Sequence, residues 1–275
     1  MNLYDLTKPL KFYNLVFFDL ETTGLHAKDG DAICEIGAFK VLDGEIVDSF
    51  HSLINPGREM SFEAQRIHKI PAEELESAPC FRDLEDQIID FLKDSVLCAY
   101  NVAFDLGFIN EELFRLGKPS LNVAAVDILS MARKTLNLPK SNLAKVASFL
   151  NIESKGRLHR ALADSDMAKG VFYKLVDILA ERGLKSLSDY LSLYGLNNSF
   201  NEAVQDLKAE QIKKAIFSKK DVDIVYFSYE NCLQEEKALI IDLLKENGKY
   251  HVWYRNCFGD NLKLPLNRLL SVLIV

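Results

Sequence analysis

The stretch FDLETTGL, Phe18–Leu25, decides how the rest of this chain is interpreted. It completes an apolar run that begins at Leu15 and is typical of a buried β-strand. Because side chains alternate along a strand, Asp19 and Glu21 are expected on the same face. Two carboxylates on one face of a buried strand repel each other and are costly to desolvate unless a cation lies between them. The alternative is an ordinary strand end, closed by the turn that follows it.

Composition and charge bound the kind of protein. The 275 residues, 48% hydrophobic and 27% charged, suit a globular chain of two domains. Five cysteines without paired spacing, and no long apolar run, predict a cytoplasmic protein with no signal peptide and no membrane partner. Residues 1–180 carry the whole net charge of −7 and residues 181–275 are neutral, which argues against a broad electrostatic clamp on duplex nucleic acid. A small site where cations offset local acids is compatible with this charge.

The order of the predicted elements favours an α/β fold. Three strands joined by hairpin signals, Asp43-Gly44 among them, are followed by strands that alternate with helices. This order predicts a mixed sheet with helices on its faces. The predicted strands are 15–18, 32–41, 45–54, 96–99 and 123–126, and the predicted helices are 61–68, 81–93, 103–116, 128–136, 143–150 and 161–179.

Two further acids lie on the apolar stripes of predicted helices. Asp105 starts the stripe of its helix, and Asp164 lies among the inward positions of the last long one. A carboxylate at such a position is costly unless it is paired or bound to a metal. For Asp105 the alternative is an acid that the macrodipole favours in a first helical turn. For Asp164 the alternative is a buried ion pair with Arg133 or Arg160.

His159 precedes Asp164 by five positions. On a continuous helix the two side chains would point about 140° apart. They can therefore face one site only if His159 lies at or before the start of the helix. Gly156, just upstream, favours that arrangement.

Three motifs taken together resemble the histidine-containing (DEDDh) branch of the DEDD exonuclease superfamily, which includes proofreading subunits of bacterial replicative polymerases and oligoribonucleases. The matching segments are FDLETTGL (18–25), AYNVAFD (99–105, with Tyr100 where histidine is usual) and HRALADSD (159–166). Similarity in ICEIGAF (33–39) and INPG (54–57) extends the resemblance to about residues 14–180.

The resemblance implies an RNase H-like fold, with a mixed five-stranded sheet and flanking helices. It also implies a 3′→5′ exonuclease that releases nucleoside monophosphates from single-stranded DNA or RNA 3′ ends, DNA in preference to RNA. Two divalent ions, Mg²⁺ or Mn²⁺, would be held by four acids, since hard cations prefer carboxylate oxygens and two of them clamp an in-line displacement. The implied metal ligands are Asp19, Glu21, Asp105 and Asp164.

The same resemblance implies the remaining roles. His159 completes the catalytic set as the general base that takes a proton from the attacking water. Contacts to the terminal nucleotide fall to Thr22, Thr23, Leu25, Asn101 and Phe104. The rival interpretation is a non-catalytic nucleic-acid-binding or partner-binding adaptor on a nuclease fold, and four converging acids argue against it. The sequence does not choose among proofreading, DNA repair and oligonucleotide turnover.

The pattern changes after residue 182. We predict an exonuclease domain at 1–182, a helical linker at 183–220 and a small, mostly-β domain at 221–275. The last segment resembles a WYL-type, SH3-like barrel, with Tyr250-His251-Val252 in the place of the signature and Arg268 as its later arginine. A polymerase or another protein is the partner expected for this part, and a packing or oligomerisation module is the alternative.

Overall fold

A computed structural model of the chain describes residues 6–136, 138–153, 159–196, 199–230 and 232–274. The chain divides into two compact units. The first is Leu10–Asp177, and the second comprises residues 6–9 and 178–274. The boundary falls within one long helix, Ala161–Glu181.

The first unit is built on a mixed five-stranded sheet, which confirms the predicted fold class. Its order is β3-β2-β1-β4-β5; the pairings of β1 with β2 and of β2 with β3 are antiparallel, and those of β1 with β4 and of β4 with β5 are parallel. The turn Asp43-Gly44 has positive φ at both residues, 50° and 84°, as a tight hairpin requires. The strands are β1 Leu15–Thr22, β2 Ile33–Leu42, β3 Glu45–Leu53, β4 Val96–Ala99 and β5 Ala124–Asp127.

Helices accompany this sheet as predicted, with one addition. The addition is the five-residue helix α2, which follows Pro71 and is too short to show a periodic apolar pattern. Side chains of Ser61 and Asn142 cap α1 and α6 by accepting hydrogen bonds from backbone N–H groups. The helices are α1 Phe62–His68, α2 Ala72–Glu76, α3 Phe81–Leu92, α4 Val102–Arg115, α5 Ile128–Thr135, α6 Leu143–Phe149 and α7 Ala161–Glu181, with short 3₁₀ turns at Leu10–Phe12 and Ala27–Asp29.

The core of the first unit lies where α7 packs on β1. Phe17 is fully buried and its ring meets that of Phe172 edge-on, with 5.2 Å between centroids. Such aromatic pairs combine a large buried area with a preferred geometry. This packing holds the helix that carries Asp164 against the strand that carries Asp19.

The second unit contains an all-antiparallel sheet of five strands in the order β10-β6-β7-β8-β9. A mostly-β C-terminal part is thus confirmed, whereas the SH3-like barrel and the WYL resemblance stay predictions. Strand β7 is longer than the predicted 239–244, because its first half pairs with β6 and its second half with β8. The elements are α8 Leu187–Tyr194, α9 Ser199–Ser218, β6 Val222–Phe227, β7 Leu233–Glu246, β8 Lys249–Asn256, β9 Asn261–Pro265, a 3₁₀ turn Leu266–Arg268 and β10 Leu269–Ile274.

Helix α9 belongs to the core of the second unit. Ala209, Ile212 and Ala215 are buried in one cluster with residues of the sheet such as Ile224 and Val252. The predicted domain boundaries at 182 and 220 stay a prediction. None of the helices that the structure describes is both long enough and apolar enough to cross a bilayer.

Candidate metal centre and active site

Three segments of the first unit supply the five predicted catalytic residues. Strand β1 carries Asp19 and Glu21, and α4 carries Asp105 in its first turn. His159 lies two residues before the start of α7, and Asp164 is in the first turn of that helix. The five are separated by up to 145 positions in the chain and meet through the packing of α4 and α7 beside β1.

Three of these side chains form a compact group. Within the described residues, one ligand atom each from Glu21, His159 and Asp164 lies within 4.8 Å of the other two. The backbone N–H of His159 donates to Oδ2 of Asp164 at 3.2 Å, and Nδ1 of its ring is 4.0 Å from the same oxygen. His159 has a φ of 62°, which is unusual for a residue other than glycine and marks a constrained entry into α7.

Asp105 is tied to β1 through the backbone. Its carboxylate accepts a hydrogen bond from the N–H of Leu20, the residue between Asp19 and Glu21. Asp105 is only 3% exposed, so this hydrogen bond satisfies part of a carboxylate that water does not reach. The contact places the acid of α4 against the strand that carries the other two.

The four carboxylates repel one another in a buried setting. Burial and the charges of Asp105, Glu21 and Asp164 raise the pKa of Asp19 well above its usual range. Burial, with Asp164 the strongest neighbouring charge, raises the pKa of Glu21 to about 8. Burial also raises the pKa of Asp105 to about 8 and that of Asp164 above its ordinary value. The protein alone therefore disfavours the charged state of this group, as expected of acids arranged for a cation.

The donor chemistry fits hard divalent cations. All four acids offer oxygen, the ligand that Mg²⁺ and Mn²⁺ prefer. Oδ1 of Asp164 is buried and has no hydrogen-bond partner among the described residues, so this oxygen is left for a ligand. An ion pair does not explain Asp164 either, because Arg160 pairs with Glu35 and Arg133 forms no ion pair with any described residue. The alternative of a buried ion pair with Arg133 or Arg160 is therefore wrong.

Sequence reasoning missed a fifth acid beside this group, Glu35 on β2. It lies opposite Glu21 in the β1–β2 register and is completely buried. The guanidinium of Arg160 donates to both of its carboxylate oxygens, and Nε2 of His51 is 2.7 Å from Oε1. The N–H of Ala161 donates to Oε2 at 3.2 Å. Burial would raise the pKa of Glu35, but these hydrogen bonds outweigh it and lower the pKa below its ordinary value. An acid inside the apolar run ICEIGAF was the signal available in the sequence.

Gly37 sets how closely α7 approaches β2. A β-carbon at this position would stand 2.2 Å from the backbone nitrogen of Leu162 and 2.5 Å from the carbonyl carbon of Ala161. No flexible side chain is available there to move aside. The first turn of α7, which carries Asp164, therefore requires glycine at this point of the sheet.

The predicted nucleotide-binding residues fall into two groups. Thr22 and Thr23 are buried, and their hydroxyls are used inside the protein. The hydroxyl of Thr22 donates to the carbonyl of Gly24 at 2.6 Å, and that of Thr23 accepts from the N–H of Ala32 at 3.0 Å. These bonds shape the loop after β1.

The other three predicted contacts are open to solvent to different extents. Leu25 is 72% exposed, although it is apolar. Asn101 is exposed and precedes α4 with a φ of 81°, and its N–H donates to Oδ1 of Asp127 at 3.2 Å. Phe104 is half-buried and packs on Phe108 with 4.9 Å between ring centroids. Leu25, Asn101 and Phe104 thus present surface to a ligand, and their roles stay predictions.

Comparison with protein families places the first unit. The model of a family described as "Exonuclease" matches residues 16–172. DNA polymerase III subunit epsilon of Rickettsia felis is 38% identical over 169 residues, which are 58% of this chain and 72% of the relative. The PolC-type DNA polymerase III of Thermotoga petrophila is 32% identical over 191 residues, or 69% of this chain and 14% of that polymerase.

A solved structure shows the same fold at low sequence identity. The nuclease domain of 3′hExo, described as a DEDDh family member bound to rAMP, matches with a TM-score of 0.54 and 17% identity. The match covers 60% of this chain and 92% of that domain. The predicted RNase H-like fold is thereby confirmed.

Proposed function

The chain belongs to the exonuclease family, with the fold of the DEDDh exonucleases, and on that premise we propose that it removes nucleoside monophosphates in the 3′→5′ direction from single-stranded ends. The observation that carries this proposal is the group of four buried carboxylates with raised pKa values and one oxygen without a partner, at Oδ1 of Asp164. A protein that only binds nucleic acid gains nothing from that unfavourable arrangement. DNA is the preferred substrate, because the relatives with 30% identity or more are named as DNA polymerase III proteins.

Asp19, Glu21, Asp105 and Asp164 would hold two divalent cations, Mg²⁺ or Mn²⁺. When bound, such cations neutralise the carboxylates and stabilise negative charge on the phosphate. His159 is the general base. Because its Nδ1 is turned toward Asp164, Nε2 is the ring nitrogen that accepts the proton of the attacking water. The exposed Leu25 and Phe104 contact the terminal base, and Asn101 borders the same opening.

The second unit has no counterpart in the family match, which ends at residue 172. It would bring the enzyme to a partner, for which a polymerase is the first candidate because of the relatives' names. A cytoplasmic location accords with that partner.

The test uses the full chain with matched DNA and RNA oligonucleotides labelled at the 5′ end, in Mg²⁺, Mn²⁺ or EDTA. We expect a ladder of shortened products that requires the cation and is abolished by Asp164→Asn. Asp166→Asn is the matched control, since Asp166 lies on the same helix and pairs with Lys169 at 2.6 Å. Substrates labelled at the 3′ end should release the labelled mononucleotide first if the polarity is 3′→5′. Strand binding without cleavage under any of these conditions would favour the adaptor instead.

A further inference from the structure

A groove of about 560 Å³ in the first unit is lined by basic and neutral residues. Its lining includes Arg133 near the end of α5 and Lys140, Ser141 and Asn142 before α6. No carboxylate belongs to the lining. The groove therefore concentrates positive charge in a chain whose net charge is −7.

The two cations of this groove are available to a ligand. Arg133 and Lys140 are both exposed, and neither forms an ion pair within the part of the chain that the structure describes. Elsewhere on the surface of this unit, lysines do pair with acids, as Lys118 does with Glu85 at 3.0 Å. An arginine offers a planar fork of donors and a lysine a compact charge, and together they suit a phosphate group.

Tyr100 connects the groove to the carboxylate site. Its hydroxyl donates to the carbonyl of Ser141 at 2.5 Å, which fixes the loop that carries Lys140. Tyr100 directly precedes Asn101, the residue before α4, and Asp105 lies four positions further on. Four residues of helix rise about 6 Å, so the groove begins about one turn of α4 away from a carboxylate of the proposed centre.

The acid nearest to this connection is already satisfied. Asp127 caps α5 and accepts hydrogen bonds at Oδ1 from the N–H groups of Asn101 and Leu129, at 3.2 and 3.1 Å. It does not line the groove. Its charge is held by the backbone and leaves Arg133 and Lys140 for an external anion.

We propose that this groove binds a backbone phosphate of the substrate strand, upstream of the nucleotide that is removed. The inference rests on the proposed nuclease function and adds where the body of the strand lies. Contacts of this kind position a strand without reading its bases. They raise affinity only for substrates long enough to reach the groove.

The test measures binding of a labelled thymidine decamer by fluorescence anisotropy in EDTA, with the full chain and with the double variant Arg133→Gln, Lys140→Gln. We expect about tenfold weaker binding at low salt. The slope of log affinity against log salt should fall in magnitude by up to about 1.4, or about 0.7 for each lost phosphate contact. The control variant Arg82→Gln, Lys174→Gln removes the same charge from exposed positions outside the groove. Equal affinity and equal salt slope in the groove variant and the wild type would overturn the proposal, as would equal losses in the control variant or no binding by the wild type.

Hydrolysis separates this inference from the proposed function. A dinucleotide has a single phosphodiester, which must lie at the carboxylates to be cleaved and so cannot also reach the groove. The groove variant should cleave the dinucleotide with unchanged kcat/KM and the decamer with reduced kcat/KM. If the wild type cleaves neither substrate in Mg²⁺ or Mn²⁺, the proposed function fails, while the anisotropy result still decides whether the groove binds a strand.

Discussion

The guanidinium of Arg160 donates hydrogen bonds to both carboxylate oxygens of Glu35, with Nε 3.1 Å from each and Nη2 2.8 Å from Oε1. This bidentate pair joins the strand β2 to the residue between His159 and α7. The carboxylate also receives the N–H of Ala161 at the first position of the helix. Glu35 therefore positions the start of α7, and with it two members of the proposed catalytic set.

Breaking this pair should lower stability and activity together. Glu35→Ala removes a fully buried partner from an arginine that is one-third exposed, so we expect the free energy of unfolding to fall by about 3 kcal/mol. Urea unfolding followed by circular dichroism measures this change. Glu85→Ala, which breaks a pair with the more exposed Lys118, is the control and should cost less than about 1 kcal/mol.

A second variant distinguishes positioning from stability. Glu35→Leu with Arg160→Met replaces the pair by apolar groups and should restore most of the stability. Nuclease activity should stay low, because no group then holds the N–H of Ala161. Recovery of full activity in this double variant would show that Glu35 acts through stability alone.

Protonation of the carboxylate group should stabilise the metal-free protein. Glu21 and Asp105 both have pKa values raised to about 8, above the values of the unfolded chain. The folded state therefore binds more protons than the unfolded state between about pH 4 and pH 8, so stability in EDTA should fall as pH rises through about 8. Thermal unfolding between pH 6 and pH 9 measures the trend.

Added cation should reverse that trend. Because Mn²⁺ competes with protons for the same oxygens, its stabilising effect should grow as pH rises. Asp105→Asn should flatten the slope in EDTA and weaken the response to Mn²⁺, whereas Asp166→Asn should change neither. An unchanged slope in Asp105→Asn would mean that the carboxylates of this group are not coupled in solution.

Removing the imidazole of His159 should slow cleavage without preventing cation binding. For His159→Ala we expect a rate lower by a factor of about 10²–10⁴, the usual contribution of a general base. Stabilisation by Mn²⁺ should persist, since the four carboxylates remain. His251→Ala, in the second unit, is the control. A rise of rate with pH that is identical in His159→Ala and the wild type would remove His159 from the mechanism.

Local patterns were sufficient to predict most of the first unit. The alternation of β1 placed Asp19 and Glu21 on one strand face, and the spacing to Asp164 required His159 to precede its helix, where the structure has it. Each inference used residues within a few positions of one another. Their catalytic roles stay predictions, because geometry alone does not test them.

What sequence reasoning missed depends on distant partners or on very short elements. The partners of Glu35 are 16 and 125 positions away in the chain, so no local pattern could join them. Helix α2 has five residues, less than two turns. The first half of β7, Leu233 to Lys237, is rich in charged residues and is held as a strand by its pairing with β6.

The exposed Leu25 should matter for substrate and not for folding. Leu25→Ser removes an apolar side chain that is 72% exposed, so stability should change by less than about 0.5 kcal/mol. If the side chain contacts the terminal base, kcat/KM should fall by about tenfold. Phe114→Ser, at 73% exposure on α4, is the matched control and should leave kcat/KM unchanged. Equal kcat/KM in Leu25→Ser and the wild type would exclude that contact.

A buried lysine should give the second unit a pH dependence of the opposite sign. Burial lowers the pKa of Lys208 to about 8, and Nζ donates to Oγ of Ser192 at 2.5 Å and to the carbonyl of Leu269 at 3.0 Å. The unfolded chain therefore binds more protons than the folded one between about pH 8 and pH 10.5, and stability should rise across that window, by about 1.4 kcal/mol for each unit of pKa difference. Trp253, the single tryptophan of the chain, lies on β8 and reports unfolding of this unit by fluorescence. Lys208→Met should lose the rise, and Lys214→Met, at an exposed position of α9, should keep it. Parallel pH profiles for Lys208→Met and the wild type would show that Lys208 is not the group responsible.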